Sequence, residues 1–207
     1  MSDKKVIVVG YSGHAYTVIE TAESQGLIVK YYTEKSELTK NPFSLHYLGN
    51  ESNSNFDFSR TTSLFILGIG DNKIREKVAT LILSKNGVLQ SLISPEANVS
   101  KYSVIGKGVL IVRGANINAF AEIGDYSILN TGCSIDHACS IGKSVHIAPG
   151  AVLAGGVKVG DRSFIGANSV IKQGVTIGKD VIIGAGTVVL KDIPNDSKVV
   201  GNPGRIL

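Results

Sequence analysis

Three side chains in one stretch carry the residue types needed for proton and carbonyl chemistry. They are Asn130, His137 and His146, seven and then nine residues apart. A neutral imidazole accepts a proton near pH 7, and a side-chain amide offers both a donor and an acceptor. His137 lies in Ile135-Asp136-His137-Ala138, two residues past an aliphatic position, which places it at a turn or facing outward. A solvated surface histidine has the same appearance. Asn130 also suits a turn corner, because asparagine tolerates positive φ. A second candidate lies near the start, at Gly10-Tyr-Ser12-Gly13-His14. A strand-to-helix turn with two glycines favours a phosphate at the free N–H groups of the helix start. It is not the G-x-G-x-x-G pattern, so alone it is weak evidence.

The elements that must position these groups follow two different periods. Every sixth residue from Val99 to Val189 is aliphatic, sixteen positions without a break. A second register four residues later, from Ser103 to Thr187, is small or β-branched throughout. A helix cannot sustain a period of six, whereas a solenoid of hexapeptide strands can. Three hexads make one triangular turn of about 18 residues, giving about five turns. Gly106, Gly124, Gly142, Gly160, Gly166, Gly178 and Gly184 are expected to allow the close turns. Gly155, Ala167 and Ala185 each fall two residues past an aliphatic position, the last two 18 apart and so stacked on one face. Small residues there would let a long, thin ligand lie along the solenoid and reach the backbone. Coenzyme A has that shape, as plain turn packing also would explain the residues.

Residues 1–94 alternate strand and helix instead. Lys5–Val9, Leu27–Tyr32, Leu64–Leu67 and Val88–Ile93 read as strands. Ala15–Gln25, closed by Gly26, and Asn72–Lys85 read as helices, the second with apolar Ile74, Val78, Leu81 and Ile82. A polar segment runs from Thr33 to Arg60. This describes a small Rossmann-like parallel α/β domain, followed over 95–207 by an all-β solenoid domain with a C-terminal tail. The α/β domain is expected to cap one end of the solenoid, and the tail, with Gly201-Asn-Pro-Gly204, the other.

The chain has 207 residues and a formal net charge of +4, with Lys and Arg scattered. No nucleic-acid partner is expected from that pattern. No apolar run approaches a membrane span and the N-terminus does not read as a secretory signal, so a cytoplasmic protein is expected. Cys133 and Cys139, the only cysteines, fall on the small-residue register and read as buried thiols.

The hexads resemble the left-handed β-helix acyltransferases. Val9-Gly10-Tyr-Ser-Gly13-His14 and Gly70-Asp-Asn-Lys-Ile-Arg75, joined to Asn130 and His137, are similar to the sugar O- and N-acetyltransferases of the sialic-acid and bacillosamine pathways, most of all the UDP-4-amino-sugar type. The likeness covers the whole chain. It implies a left-handed coil, a homotrimer, acetyl-CoA as co-substrate and no metal. It implies His137 as general base, with Asn130 in the active site and His146 close to the thioester. Gly155, Ala167 and Ala185 would line the acetyl-CoA. Ser12, Gly13 and His14 would hold a nucleotide-linked amino sugar, with Thr33, Glu34 and Gly70 as further contacts. Two positions depart from the family, which has an acidic residue where Ala138 stands and an acidic pair where Thr33-Glu34 stand. The function implied is N-acetylation of a UDP- or dTDP-linked 4-amino-4,6-dideoxy sugar. The alternatives are O-acetylation of a sialic-acid-type sugar, or a scaffold solenoid without catalysis. A carbonic-anhydrase-like relative would need three zinc histidines, and the solenoid has two.

Overall fold

The computed structural model describes residues 4–58 and 61–207; Met1–Asp3 and the end of the polar segment, Ser59-Arg60, lie outside the described residues. The chain opens with β1 (Lys5–Val9), α1 (Gly13–Ser24), β2 (Ile28–Thr33), β3 (His46–Tyr47), β4 (Leu64–Leu67), α2 (Asn72–Ser84) and β5 (Val88–Leu89). These strands form a parallel sheet in the order β3-β2-β1-β4-β5. β1 is buried on both faces beyond its first residue, which is why it reads as a continuous apolar run.

Two details differ from the sequence reading. The run Val88–Ile93 is not one strand. β5 stays in the open sheet, and β6 (Leu92–Ile93) joins the solenoid through Leu110–Ile111. Periodicity cannot divide so short a run; its hydrogen-bonding partners do. In α2 the buried stripe is Arg75, Val78, Ala79 and Ile82, at helical spacing, while Ile74 is 54% exposed. An arginine occupies the place where an apolar residue was expected.

From β6 onward, strands of two residues pair in parallel with the strands 18 positions away. They make three faces. The first carries Ile128–Leu129, His146–Ile147 and Phe164–Ile165; the second, Ser134–Ile135 and Val152–Leu153; the third, Ser140–Ile141 and Lys158–Val159. The sixfold aliphatic register forms one continuous interior from Val109 to Val199, joined by the small register, with Val99 and Ile105 partly buried at its start. Cys133 and Cys139 lie in that interior as free thiols, and burial pushes Cys133 up to about 12.

The corners work differently from expectation. From Gly108 to Gly186 the left-handed residue of each hexad comes three positions after the interior aliphatic, as at Gly156 and Gly174 but also at Tyr126, Ala138, Ser144 and Arg162. The glycines one position after the aliphatic serve another purpose: they sit where successive coils touch. A Cβ on Gly160 would come within 2.6 Å of the Gly178 carbonyl carbon and the Lys179 nitrogen.

The α/β unit lies against the side of the solenoid and not across its end. Outward-facing Leu110 and Ile128 of the first face share a core with Val18, Ala22 and Tyr32, and Tyr126 packs with Val78 and Ile82. Arg113 and Glu20 form an ion pair across the same junction. The tail returns along the first face as Lys198–Val200 and antiparallel Arg205–Ile206.

The two glycine roles predict two different losses. Gly160→Ala forces adjacent coils apart and should cost more than about 2 kcal/mol. Gly174→Ala meets open space at φ +72 and should cost only about 1 kcal/mol of backbone strain. Denaturant unfolding compares them; equal losses would contradict the stacking role.

Candidate active site

At the carboxyl edge of the parallel sheet, β1 and β4 end on Gly10 and Gly68, whose backbones touch. A Cβ on Gly68 would collide with the Gly10 carbonyl oxygen, and one on Gly10 would lie 2.6 Å from Ile69. This contact aims both following loops outward, as at the ligand crevice of an open α/β sheet. A cleft of about 880 Å³ opens there. Ser12, at the N-cap of α1, Glu34 and Gly70 line it; Thr33 does not, because the strand end buries it completely. Gly13 is exposed, and a Cβ there would meet nothing within 4 Å. Glu34 accepts from the backbone N–H groups of Tyr11 (3.2 Å) and Lys35 (2.9 Å), which fixes its carboxylate at the rim. The sequence reading missed Glu51, Lys77 and Val78 in the same wall. Glu51 has a buried carboxylate oxygen without a partner, a feature of a loop that carries no sequence pattern.

Gly70 and Asp71 also border a second cavity of about 370 Å³, floored by Phe164 and Ile182 of the first face and rimmed by Lys73, Arg162 and Asp180. His14 and His146 meet between the two domains, ring centroids 5.9 Å apart, with Phe164 edge-on to His146 at 5.1 Å. Asn130, at the corner between the first and second faces, places Nδ2 3.2 Å from His146 Nε2. Arg75 binds the junction together. Its Nε donates to the Tyr126 carbonyl (2.7 Å), Nη1 to those of Ile69 (3.2 Å) and Gly70 (2.9 Å), and Nη2 to Ser144 O and Asn72 Oδ1 (2.9 Å each). Asn72 donates onward to the Arg162 and Ser163 carbonyls. Arg75 is 1% exposed, and burial lowers its pKa to about 10, so it stays charged at neutral pH. Burial, then Arg75, lowers His14 to about 4; burial, Arg75 and His14 lower His146 to about 3. Both imidazoles are therefore neutral near pH 7.

His137 lies elsewhere, exposed at the corner between the second and third faces. Its ring rests on Gly155 of the next coil, where a Cβ would come within 2.6 Å of Cε1 and Nε2. Asp136 accepts from the Asn118 amide (2.8 Å) and from the His137 backbone N–H (2.7 Å), which in that order lower its pKa, and so shapes the turn. Ala138 holds the left-handed corner position, φ 57. Ala167 and Ala185 stack at the other corner, two and three coils along from Asn130, whereas Gly155 lies beneath His137. Within one chain the candidate residues thus form two groups. Among the described residues, no cluster of three or more His, Cys, Asp or Glu could hold a metal ion, and no helix is long and apolar enough to cross a membrane.

The PglD N-terminal domain family matches residues 5–82. The bacterial transferase hexapeptide family matches 138–173, and the hexapeptide repeat of succinyl-transferase matches 156–191. A point variant of perosamine N-acetyltransferase from Caulobacter crescentus, solved with CoA and GDP-perosamine, is 34% identical over 98% of this chain and 96% of its own, with a TM-score of 0.91. The acetyltransferase domain of PglB from Neisseria gonorrhoeae, in complex with acetyl coenzyme A, is 29% identical over the full length of both chains (TM-score 0.92). WeeI from Acinetobacter baumannii is 26% identical over 99% of this chain and 100% of its own (TM-score 0.88). No curated protein matches the sequence.

The two depressed imidazoles make stability depend on pH. Unfolded histidines protonate at about 6.5, whereas His14 and His146 in the folded protein do so only near 4 and 3. Between those values the unfolded chain binds more protons, so stability falls as pH drops from 7 towards 4, by several kcal/mol in order of magnitude. Urea midpoints at pH 7.5 and 5 test this. The double variant His14→Gln, His146→Gln should show a shallower fall; a fall equal to wild type would mean that the rings protonate normally.

Proposed function

This chain belongs to the sugar acetyltransferases that join a PglD-type N-terminal domain to hexapeptide repeats and is an acetyl-CoA acetyltransferase; on that premise we propose that its acceptor is the amine of a nucleotide-linked 4-amino-4,6-dideoxy sugar. The observation that carries this reading is the end-to-end likeness to an enzyme solved with CoA and a nucleotide amino sugar bound. The cleft supports it: the N-terminus of α1, at Ser12 and Gly13, offers backbone N–H groups to a diphosphate. His14 packs behind Gly70, its Cβ and Cγ 3.8 Å from where a Gly70 Cβ would stand, and the resemblance gives it a place near the diphosphate. Glu34 and Glu51 offer acceptors to hydroxyl and N–H groups of a nucleoside.

In the proposed reaction the neutral amine attacks the thioester carbonyl directly. A C–N bond forms, the C–S bond breaks, and coenzyme A leaves as its thiolate. His137 takes the proton from the amine nitrogen and returns it to that sulfur. The Asn130 amide donates to the sugar or to the developing oxyanion, where a fixed donor stabilises charge that water would otherwise have to reorganise around. His137 and Gly155 stand on one corner, and Asn130, Ala167 and Ala185 on another. This separation supports a homotrimer in which acetyl-CoA lies between two chains, each supplying one corner.

His137→Ala should lower kcat by about 10²–10⁴-fold with little change in acetyl-CoA affinity. Mixing it with a chain defective in coenzyme A binding should restore part of the activity if neighbours share sites. Activity of the single variant within a few-fold of wild type would remove His137 from the mechanism, and a trimer without complementation would refute the shared site.

Gly13→Val should abolish binding of a nucleoside diphosphate by calorimetry while coenzyme A still binds. The free space around Gly13 lets the protein itself accept a side chain, so the loss would report on the ligand. Unchanged nucleotide affinity would make the turn purely structural.

A further inference from the structure

One amide orientation at the domain junction determines a protonation pattern. Asn130 Oδ1 accepts the Thr131 backbone N–H at 2.8 Å, with the Thr131 hydroxyl at 3.3 Å. A backbone N–H has no acceptor capacity, so the amide oxygen faces Thr131 and the NH₂ faces His146. That NH₂ lies 3.2 Å from His146 Nε2. An NH₂ can only donate, so Nε2 must be an unprotonated acceptor, and the ring hydrogen must reside on Nδ1. Nδ1 itself is sealed in the junction without a hydrogen-bond partner. A ring held in this way cannot present Nε2–H to a substrate.

We infer that His146 and Arg75 are positioning residues for Asn130: Arg75 clamps the Gly70 turn and the strand carrying His146 together, and His146 Nε2 then fixes the Asn130 amide with its second N–H free for the acetyl-transfer site. The inference deepens the proposed reaction and rests on it for the role of Asn130. The clamp is direct. The same guanidinium holds the carbonyls of Ile69 and Gly70 in the turn and those of Ser144 and, at 3.4 Å, Val145, immediately before His146.

The charges around the ring support this arrangement. A protonated His146 would set N–H against N–H and release the amide. Burial, Arg75 and then His14 all oppose that proton, and the Gly70 carbonyl favours it without closing a hydrogen bond on Nδ1. Asp71 and Glu76 face Arg75 and keep it charged. His14, whose Nε2 is also buried without a partner, is held neutral by burial and by the same guanidinium.

The decisive measurement is a long-range ¹H–¹⁵N spectrum of the labelled full chain. His146 should carry its proton on Nδ1 and none on Nε2 from about pH 8 to pH 5, the tautomer being set by the partner of the other nitrogen. Asn130→Ala should move the ring towards the Nε2–H form. Arg75→Gln should raise the protonation pH by about one unit or more, and Arg75→Lys should largely preserve it. In kinetics, Asn130→Ala and His146→Phe should each lower kcat about tenfold and the double variant no further, because they act as a unit. His146→Gln, which keeps an acceptor facing Asn130, should stay within about threefold of wild type. A wild-type Nε2–H ring, or additive losses in the double variant, would overturn the inference. Should the Arg75 variants fail to fold, the wild-type spectrum still decides. If wild type acetylates no nucleotide amino sugar, the proposed function falls, and the tautomer result stands or falls separately.

Discussion

A buried guanidinium without a hydrogen-bonded carboxylate is the constraint around which the two domains are arranged. Removing such a charge from water costs several kcal/mol unless hydrogen bonds replace the lost hydration. Arg75 obtains them from backbone carbonyls of both domains: Ile69 and Gly70 on one side, Tyr126 and Ser144 on the other. Neither domain alone offers the full set. Docking is thereby coupled to satisfying the charge, and truncating Arg75 would leave these carbonyls buried and unpaired. The apolar contacts of Leu110, Ile128 and Tyr126 contribute area, but area does not fix register. The directional bonds of Arg75 and Asn72 do, one coil at a time.

That register depends on the corners of the solenoid. Tyr126, Ser144 and Arg162 are 18 residues apart, and all adopt the left-handed conformation, φ 61, 53 and 58. Each costs about 1 kcal/mol or more of backbone strain that glycine would avoid. Their side chains return part of it. Tyr126 packs into the α2 core, and Arg162 pairs with Asp180 (2.8 Å) and Glu76 (3.2 Å), joining the corner to α2. From Tyr126 to Arg162 the corner where the α/β unit docks therefore carries side chains, whereas at the corner bearing His137 the left-handed position passes from Ala138 to Gly156 and Gly174. The solenoid is rigid because its interior is filled at every sixth position. It can therefore hold Asn130 and His146 against a loop of another domain with little freedom left to them.

The same rigidity separates His137 from that cluster. A triangular coil cannot bend one corner towards another, so residues close in sequence stay on different edges. Asn130 and His137 are seven residues apart and on different corners, while Asn130 and His146, sixteen apart, are hydrogen-bonded. Chemistry that needs both groups then favours assembly of several chains over rearrangement of one.

The solenoid was legible in the sequence because its constraint is local and repeated: one interior position in six, filled by the same residue type each time. The parallel sheet was legible for a similar reason, since a short, doubly buried strand must be apolar throughout. His137, Asn130 and His146 stood out as residue types at a spacing and the turn at Gly13 as a pattern, while the roles expected of them came from the resemblance. What the spacing did not contain is partnership. The buried place of Arg75, the exposure of Ile74 and the division of Val88–Ile93 between two sheets depend on which surface lies opposite. So do the meeting of His14 with His146 and the displacement of Thr33 from the cleft. A hydrophobic period records only that a position is covered. The covering group, and the carbonyl an arginine reaches across a junction, follow from directional contacts between segments far apart in the chain, and only the tertiary structure decided them.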